Sequence, residues 1–327
     1  MESTPPKTIT TGIKTQTFFL LIGVTILYLS FLLKNPSYVW IDTWFMIEIF
    51  ILTLLTRTIS IRSGFSLFSQ GVLISAMLTL LFYRLITFIG LQDSVSGEMI
   101  VVIFEELIKF APVALAAFLF YKREKIRFNL SDFLFLSVMC AAGFSLFEKT
   151  FWQGVSFPFT YGPHLGNIYF FSDALGIYVN SEPFGYIGHA AATGLVGMGV
   201  GLGLWLKAQK KTFWWIVPIF AFMWVTTEHL LSNLYYVDGR ETLLSLGGGM
   251  LTPWIFIFAF AVILYIDIKN LRTFLTKHPE EQALLKKDRQ DFFKTLKEKK
   301  FDYQKTHALI IKLRAINSFA FEESLKK

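Results

Sequence analysis

Eight long apolar runs constrain this chain of 327 residues more than any other feature. An α-helix needs about 20 predominantly apolar residues to cross the hydrocarbon core of a bilayer, at a rise of about 1.5 Å per residue. The runs that approach this length cover roughly residues 16–33, 38–56, 71–90, 98–121, 131–153, 185–206, 213–235 and 251–268. The sequence therefore predicts an all-α fold, a polytopic membrane bundle of about eight transmembrane helices with a basic helical C-terminal tail.

The composition supports a membrane protein and excludes several other classes. Hydrophobic residues make up 54% of the chain, and charged residues only 17%, against about 25% in soluble domains. This composition argues against a soluble enzyme, a nucleic-acid binder and a disordered scaffold. The single cysteine, Cys140, excludes an intrachain disulfide and a cysteine-based zinc cluster.

The net charge of +7 lies in the tail, because residues 269–327 hold 15 Lys and Arg against 8 Asp and Glu. We therefore predict an eight-span transmembrane domain over 1–268 and a basic cytoplasmic tail over 269–327. Within the tail, apolar residues such as Leu285, Phe292 and Ile316 recur at near-helical spacing. This pattern predicts one or two amphipathic helices, which either lie near the anionic inner leaflet or simply present a solvated charged face.

The Lys and Arg residues between the apolar runs predict the orientation, since positive charge is retained on the cytoplasmic side. With the N-terminus inside, the inner segments carry eleven of these residues and the outer segments only Lys34 and Arg240. An even number of spans then returns the tail to the cytoplasm. The external segment 153–183, rich in glycine, proline and aromatic residues, fits either a lid that admits a substrate or an ordered cap on the helix ends.

Ionisable side chains inside membrane spans are costly and indicate function. The fourth run contains Glu105, Glu106 and Lys109. Lys109 follows the two glutamates by four and three residues, so it can pair with either on one helical face. The glutamates themselves lie about 100° apart around the helix. We therefore expect one of them to face the chemistry and the other to hold the lysine.

Three other runs place ionisable residues at the same depth. With alternating directions, Glu105, Glu148, His189 and His229 lie about 10, 8, 6 and 9 Å below the outer helix ends. Scattered structural residues have no reason to share a level. The set meets the requirements of a hydrolytic site, with a carboxylate as general base and imidazoles as acid, base or metal ligands. Asn233, one turn from His229, can donate to a developing oxyanion.

Two interleaved pairs of glycines in the sixth run, Gly197 with Gly201 and Gly199 with Gly203, have the Gly-x-x-x-Gly spacing. This spacing predicts close packing between helices.

Four segments of the chain resemble the PrsW family of intramembrane proteases, distant relatives of the CAAX-prenyl-protease and bacteriocin-processing membrane proteins. The matching residues are Glu105-Glu106-x-x-Lys109, Gly143-Phe144 with Phe147-Glu148, His189-Ala190-x-x-Thr193, and His229-x-x-x-Asn233. They fall between about residues 98 and 236. In the prenyl-protease pattern an arginine follows the second glutamate by four residues, whereas Lys109 follows Glu106 by three and lacks the bidentate fork of arginine.

The resemblance implies hydrolysis of a peptide bond in a membrane-anchored protein, with site-1 cleavage of an anti-sigma factor as one example. The implied location is the plasma (inner) membrane of a bacterium, with both termini cytoplasmic. It implies that the two glutamates of the fourth run and the two histidines are the central catalytic set, to which we add Asn233 as the oxyanion donor. We expect supporting roles for Lys109, Glu148 and Thr193.

The need for a metal is open at this stage. Glu148, His189 and His229 make a plausible three-ligand zinc site, which would lower the pKa of a bound water to about 7. Glutamate and histidine without a metal are the other form of the mechanism. A proton- or cation-coupled transporter that uses the same buried groups is the alternative function.

Overall fold

A computed structural model describes residues 36–92, 94–124, 127–148, 188–238, 251–297 and 302–325, together with residues 21, 24, 25, 28 and 29. All regular structure in this part of the chain is helical, which confirms the predicted all-α class there. In chain order its helices are α1 (Pro36–Leu52), α2 (Ile61–Phe88), α3 (Val95–Glu124), α4 (Leu130–Phe147), α5 (His189–Ala208), α6 (Ile216–Asp238), α7 (Thr252–Lys277), α8 (Pro279–Lys297) and α9 (Tyr303–Ser324).

Four of the described helices, α2, α4, α5 and α7, are long and apolar enough to cross a membrane. They cover most of the third, fifth, sixth and eighth predicted runs. The second, fourth and seventh runs form α1, α3 and α6, which are helical without being both long and apolar enough to meet that description. The first run lies almost entirely outside the described residues, as does the external segment 153–183. The count of about eight spans therefore stays a prediction beyond these four.

Helix α4 forms the centre of the bundle. Its residues from Leu130 to Leu146 are all buried, and α1, α2, α3, α5 and α7 pack around it. The helix begins with a capping box, in which Asn129 accepts from the backbone N–H of Asp132 and Asp132 accepts from that of Asn129. This reciprocal cap satisfies N–H groups that the first helical turn leaves without partners.

Glycines set the spacing between α5 and its neighbours. A Cβ added at Gly197 would lie 2.7 Å from the carbonyl oxygen of Phe133 on α4, and one at Gly199 would lie 2.6 Å from the Cβ of Ala221 on α6. These contacts confirm the close helix packing predicted from the glycine spacing. At the start of α5, Gly188 adopts a φ of +94°, a conformation that L side chains rarely adopt, so the turn into His189 requires glycine.

The tail, for which one or two helices are predicted, contains α8 and α9, and α9 packs against α7. Its C-terminal half buries Ile316, Asn317, Ala320 and Phe321. The Asn317 side chain donates to the carbonyl of Leu55 at 2.7 Å, which attaches α9 to the loop between α1 and α2. The predicted domain boundary at 268/269 lies within α7, which continues to Lys277.

Candidate functional site

The ammonium group of Lys109 lies at the centre of a buried polar cluster. Its Nζ is 2.5 Å from Glu106 Oε1, 3.1 Å from Glu105 Oε1 and 2.7 Å from His189 Nδ1. The first two contacts confirm that the lysine pairs with both glutamates across one turn of α3. The contact with His189 joins α3 to the first residue of α5.

The hydrogen bonds of His189 fix its tautomer. A lysine ammonium has only donors, so Nδ1 of His189 accepts from Lys109 and the proton of the neutral ring is on Nε2. This Nε2–H points to Glu148 Oε2 at 2.6 Å. Glu148 therefore orients the imidazole from the side opposite to the cluster. Phe144 packs edge-on against the same ring, with the centroids 5.0 Å apart.

The second histidine belongs to the same cluster through Glu106. His229 Nδ1 lies 2.7 Å from Glu106 Oε1 and 3.8 Å from Glu105 Oε1. The two imidazole rings are 5.4 Å apart between centroids and nearly perpendicular. The structure thus brings together Glu105, Glu148, His189 and His229, the four residues that the depth argument places at one level.

The two glutamates have different surroundings. The Glu106 side chain is fully buried and accepts from both Lys109 and His229 through one oxygen, Oε1. The Glu105 side chain is 8% exposed and makes the longer contacts with the same cluster. Glu106 is therefore the residue that holds the lysine, and Glu105 is the glutamate that water reaches more readily.

A second polar layer lies one to two turns closer to the predicted outer end of the helices. Asn233 follows His229 by one turn of α6 and donates its Nδ2–H to Glu98 Oε1 at 2.6 Å. Both residues are partly exposed. Side-chain exposure thus falls from this layer to the fully buried Lys109. A water or substrate molecule therefore approaches the cluster from the Glu98 side.

Glu98 is a functional candidate that the sequence reasoning missed. It precedes Glu105 by seven residues, a separation that places both on the same face of α3. The seven-residue spacing is the sequence signal that could have identified Glu98.

Thr193, the supporting residue predicted on α5, is fully buried one turn after His189. Within the described part of the chain its hydroxyl oxygen has no hydrogen-bond partner.

The donor set suits a divalent cation in type and span. One ligand atom from each of Glu105, Glu106, His189 and His229 lies within 4.8 Å of the others, and carboxylate oxygen with imidazole nitrogen is a common ligand combination for zinc. Lys109 contacts three of these four residues. A metal ion and the ammonium group therefore compete for the same centre. Glu148, predicted from the sequence as one of three zinc ligands, is not among these four residues; it contacts the other nitrogen of His189 and has the position of an outer-shell partner.

The chemistry available to this arrangement is proton transfer and electrostatic stabilisation. A continuous hydrogen-bonded chain joins Glu148, His189, Lys109, Glu106 and His229. Together with Glu105, this chain holds three carboxylates, two imidazoles and one ammonium group. When the carboxylates are ionised and the imidazoles are neutral, the formal charge of the cluster is −2. Such a site attracts a cation or a polarised water molecule.

Comparison of the chain with known protein families, with curated proteins and with solved structures finds no match in any of the three. The resemblance to the PrsW family therefore rests on the four sequence motifs alone.

Proposed function

We propose that this protein is a PrsW-like intramembrane peptidase that hydrolyses a peptide bond of a membrane-anchored protein near the outer face of the bilayer. The observation that carries the proposal is the convergence of Glu105, Glu106, His189 and His229 from three helices around one buried centre. A polar cluster of this kind is costly inside an apolar bundle, and catalysis accounts for the cost.

In this proposal Glu105 is the general base. It is the more exposed glutamate of the cluster, and it lies 3.5 Å from His189 Nδ1 and 3.8 Å from His229 Nδ1. A water molecule beside it loses a proton to the carboxylate as its oxygen attacks the peptide carbonyl. Return of that proton to the leaving amine completes the hydrolysis. Asn233 binds the developing oxyanion when substrate displaces its amide from Glu98.

The other charged groups position the base. Lys109 neutralises Glu106 and holds the His189 ring, while Glu148 fixes the tautomer of that ring from its other side. If zinc is bound, Glu105, Glu106, His189 and His229 are the residues to hold it, and the metal would supply an acidified water and polarise the carbonyl. In either form the protein residues exclude bulk water and set the geometry of attack.

The substrate class and location come from the resemblance and from the charge pattern. Bacterial members of the PrsW family include site-1 proteases of anti-sigma factors, so a single-span anti-sigma factor is the first candidate substrate. An eight-span topology in the bacterial plasma membrane, with both termini cytoplasmic, places the candidate site toward the outer face. The basic tail then faces the inner leaflet.

The test is cleavage of a panel of single-span membrane proteins expressed together with the chain. Wild type is compared with Glu105→Gln and His229→Ala, and with Glu280→Gln on the exposed surface of α8 as a matched control. We expect cleavage by wild type and by the control, and a loss of at least about 100-fold in both site variants. Processing of every substrate at the wild-type rate by both site variants would refute the proposal.

The hydrogen-bonded chain favours a second candidate, a proton-coupled transporter. Four buried groups, from His189 to His229, and the partly exposed Glu148 at the end of α4 form a route along which a proton can move. Reconstitution in liposomes with a trapped pH dye separates the two functions. A peptidase shows no proton flux that depends on Glu106, whereas a transporter loses its flux in Glu106→Gln and leaves every single-span protein intact.

A further inference from the structure

A second buried charge lies at the opposite, predicted inner end of the bundle. Arg57, in the loop between α1 and α2, is fully buried. Its guanidinium carbon lies 4.1 Å from the centroid of the Phe50 ring and 4.4 Å from that of Phe135. These rings stabilise the charge. They do not satisfy its N–H groups, and Nε, Nη1 and Nη2 of Arg57 all lack a hydrogen-bond partner within the part of the chain that the structure describes.

The loop holds Arg57 in this position by hydrogen bonds on both sides. Thr56 Oγ1 lies 2.7 Å from Ser131 Oγ, and Asn129 donates to the carbonyl of Thr56 at 2.6 Å. Thr58 donates to Asp132 through its backbone N–H at 2.8 Å and also through its hydroxyl group. The burial of the arginine is therefore built into the fold.

Two acids lie near this loop and accept hydrogen bonds from other groups, although Asp267 Oδ1 has no hydrogen-bond partner among the described residues. Asp132 accepts from Thr58, from the backbone of Ile59 at 3.1 Å and from the backbone of Asn129 at 3.1 Å. Asp267 accepts from the backbone and the hydroxyl group of Ser131 through Oδ2. No hydrogen bond joins either acid to Arg57 in the described part of the chain. A buried guanidinium whose five N–H donors meet no acceptor among the described residues is suited to bind an anion.

A second arginine comes from the tail. Arg314 on α9 is half-buried, and its Nε also lacks a partner among the described residues. It precedes Asn317 by three residues, so it shares the helical face that binds Leu55 in the Arg57 loop. Burial, and then the charge of Arg314, lower the pKa of Arg57 to about 9 against the opposing charge of Asp132, so Arg57 is still charged at neutral pH. Two like charges therefore lie close enough to influence each other where the tail meets the bundle.

We infer that Arg57 and Arg314 form a binding site for a phosphate-class anion, which joins the tail helix α9 to the transmembrane bundle. Arginine binds phosphate oxygens by paired N–H donors, and a tetrahedral anion offers acceptors in two directions at once. The anion offsets the repulsion between the two guanidinium charges and accepts hydrogen bonds from their unpaired N–H groups. Its source is either free phosphate or the headgroup of an anionic lipid of the inner leaflet, and Arg314, the more exposed arginine, is the side from which it enters.

The test measures thermal stability of the full-length protein and is independent of the proposed peptidase activity. Purified protein in uncharged detergent is titrated with inorganic phosphate, against sodium gluconate at equal ionic strength. In a parallel arm it is titrated with phosphatidylglycerol, against phosphatidylcholine. We expect a saturable rise of about 5 °C in Tm with at least one of the two anions. A rise with phosphate alone assigns the free ion, and a rise with phosphatidylglycerol assigns the lipid headgroup.

The test uses the variant Arg314→Gln, because Arg57→Gln removes a fully buried side chain and is expected to reduce the yield of folded protein. We expect Arg314→Gln to fold and to lose the ligand-dependent rise, while Arg289→Gln on the exposed face of α8 keeps it. A Tm that responds only to ionic strength, or an equal rise in wild type and Arg314→Gln, would overturn the inference. Water molecules alone would then satisfy the two arginines.

Discussion

The side chain of Lys109 decides how the candidate site is organised, because its ammonium group contacts both glutamates and His189. Replacing one partner of a buried ion pair leaves the other charge uncompensated. The cluster without Lys109 is more negative, and its carboxylates and imidazoles are then available to a metal ion. Two predictions at this scale concern Lys109 and the tautomer of His189.

The first concerns metal binding by the variant Lys109→Gln. Removing the competing ammonium leaves Glu105, Glu106, His189 and His229 free to coordinate, so we expect zinc to bind at least about tenfold more tightly than in wild type. Metal content after zinc incubation and desalting measures the change, with Lys286→Gln on the surface as the control. A folded Lys109→Gln protein that retains no more zinc than wild type would contradict the competition.

The second concerns Glu148, whose carboxylate accepts the Nε2–H of His189. Glu148→Gln removes the charge that fixes this tautomer and allows the ring to present the wrong nitrogen to Lys109. We expect cleavage to fall by roughly 10- to 100-fold with the thermal stability nearly unchanged. Kinetics on the substrate identified from the panel, together with ¹⁵N spectra of the imidazole, provide the measurement. An unchanged tautomer would show that Glu148 does not set it.

At the scale of helices, glycine contacts determine how closely the elements approach. Gly71 in the π-helical turn of α2 faces Cys140 of α4, and an added Cβ would lie 1.8 Å from the Cys140 carbonyl oxygen. Gly143 makes the reciprocal contact, with the carbonyl oxygen of Phe68 at 2.0 Å from an added Cβ. The crossing of α2 and α4 therefore depends on both glycines, and α4 in turn carries Phe144 and the segment leading to Glu148.

We predict that Gly71→Ala destabilises the protein by roughly 3 kcal/mol, because a backbone oxygen cannot move aside as a side chain can. The matched control is Gly194→Ala, whose added Cβ meets only side-chain atoms, the nearest being Val138 Cγ2 at 2.9 Å. Unfolding in mixed micelles compares the two variants. Equal stability of Gly71→Ala and Gly194→Ala would mean that the α2–α4 crossing can widen at little cost.

At the scale of the whole molecule, the polar cluster and the arginine pair lie toward opposite ends of the predicted bundle. The approach to the cluster passes Glu98 and Asn233 at the start of α3 and the end of α6. The arginine pair lies where α9 meets the loop between α1 and α2. The positive-inside pattern predicts that the first end faces the outside and the second faces the cytoplasm.

This orientation predicts opposite labelling of two cysteine variants in a Cys140→Ala background. Ser96→Cys lies exposed at the start of α3, and Lys286→Cys lies exposed on α8. An impermeant maleimide applied to intact cells should label the first at once and the second only after lysis. Labelling of Lys286→Cys in intact cells, with Ser96→Cys protected, would reverse the proposed topology and place the candidate site toward the cytoplasm.

The amino-acid sequence by itself determined the helical class, the membrane character and the level at which the polar residues of α3, α4, α5 and α6 meet. These properties depend on composition and on position along a helix, and both can be counted from the sequence. The pairing of Lys109 with Glu105 and Glu106 was predictable for the same reason, since it lies within one turn.

Only the tertiary structure decided which side chain lies at the centre of the site. The contact between Lys109 and His189, the bond from Asn233 to Glu98 and the docking of α9 on the Arg57 loop all join residues distant in the chain. They depend on the rotation of each helix about its axis and on the order of its neighbours. Glycine contacts and side-chain packing between helices fix both, and a periodic pattern along one chain does not contain them.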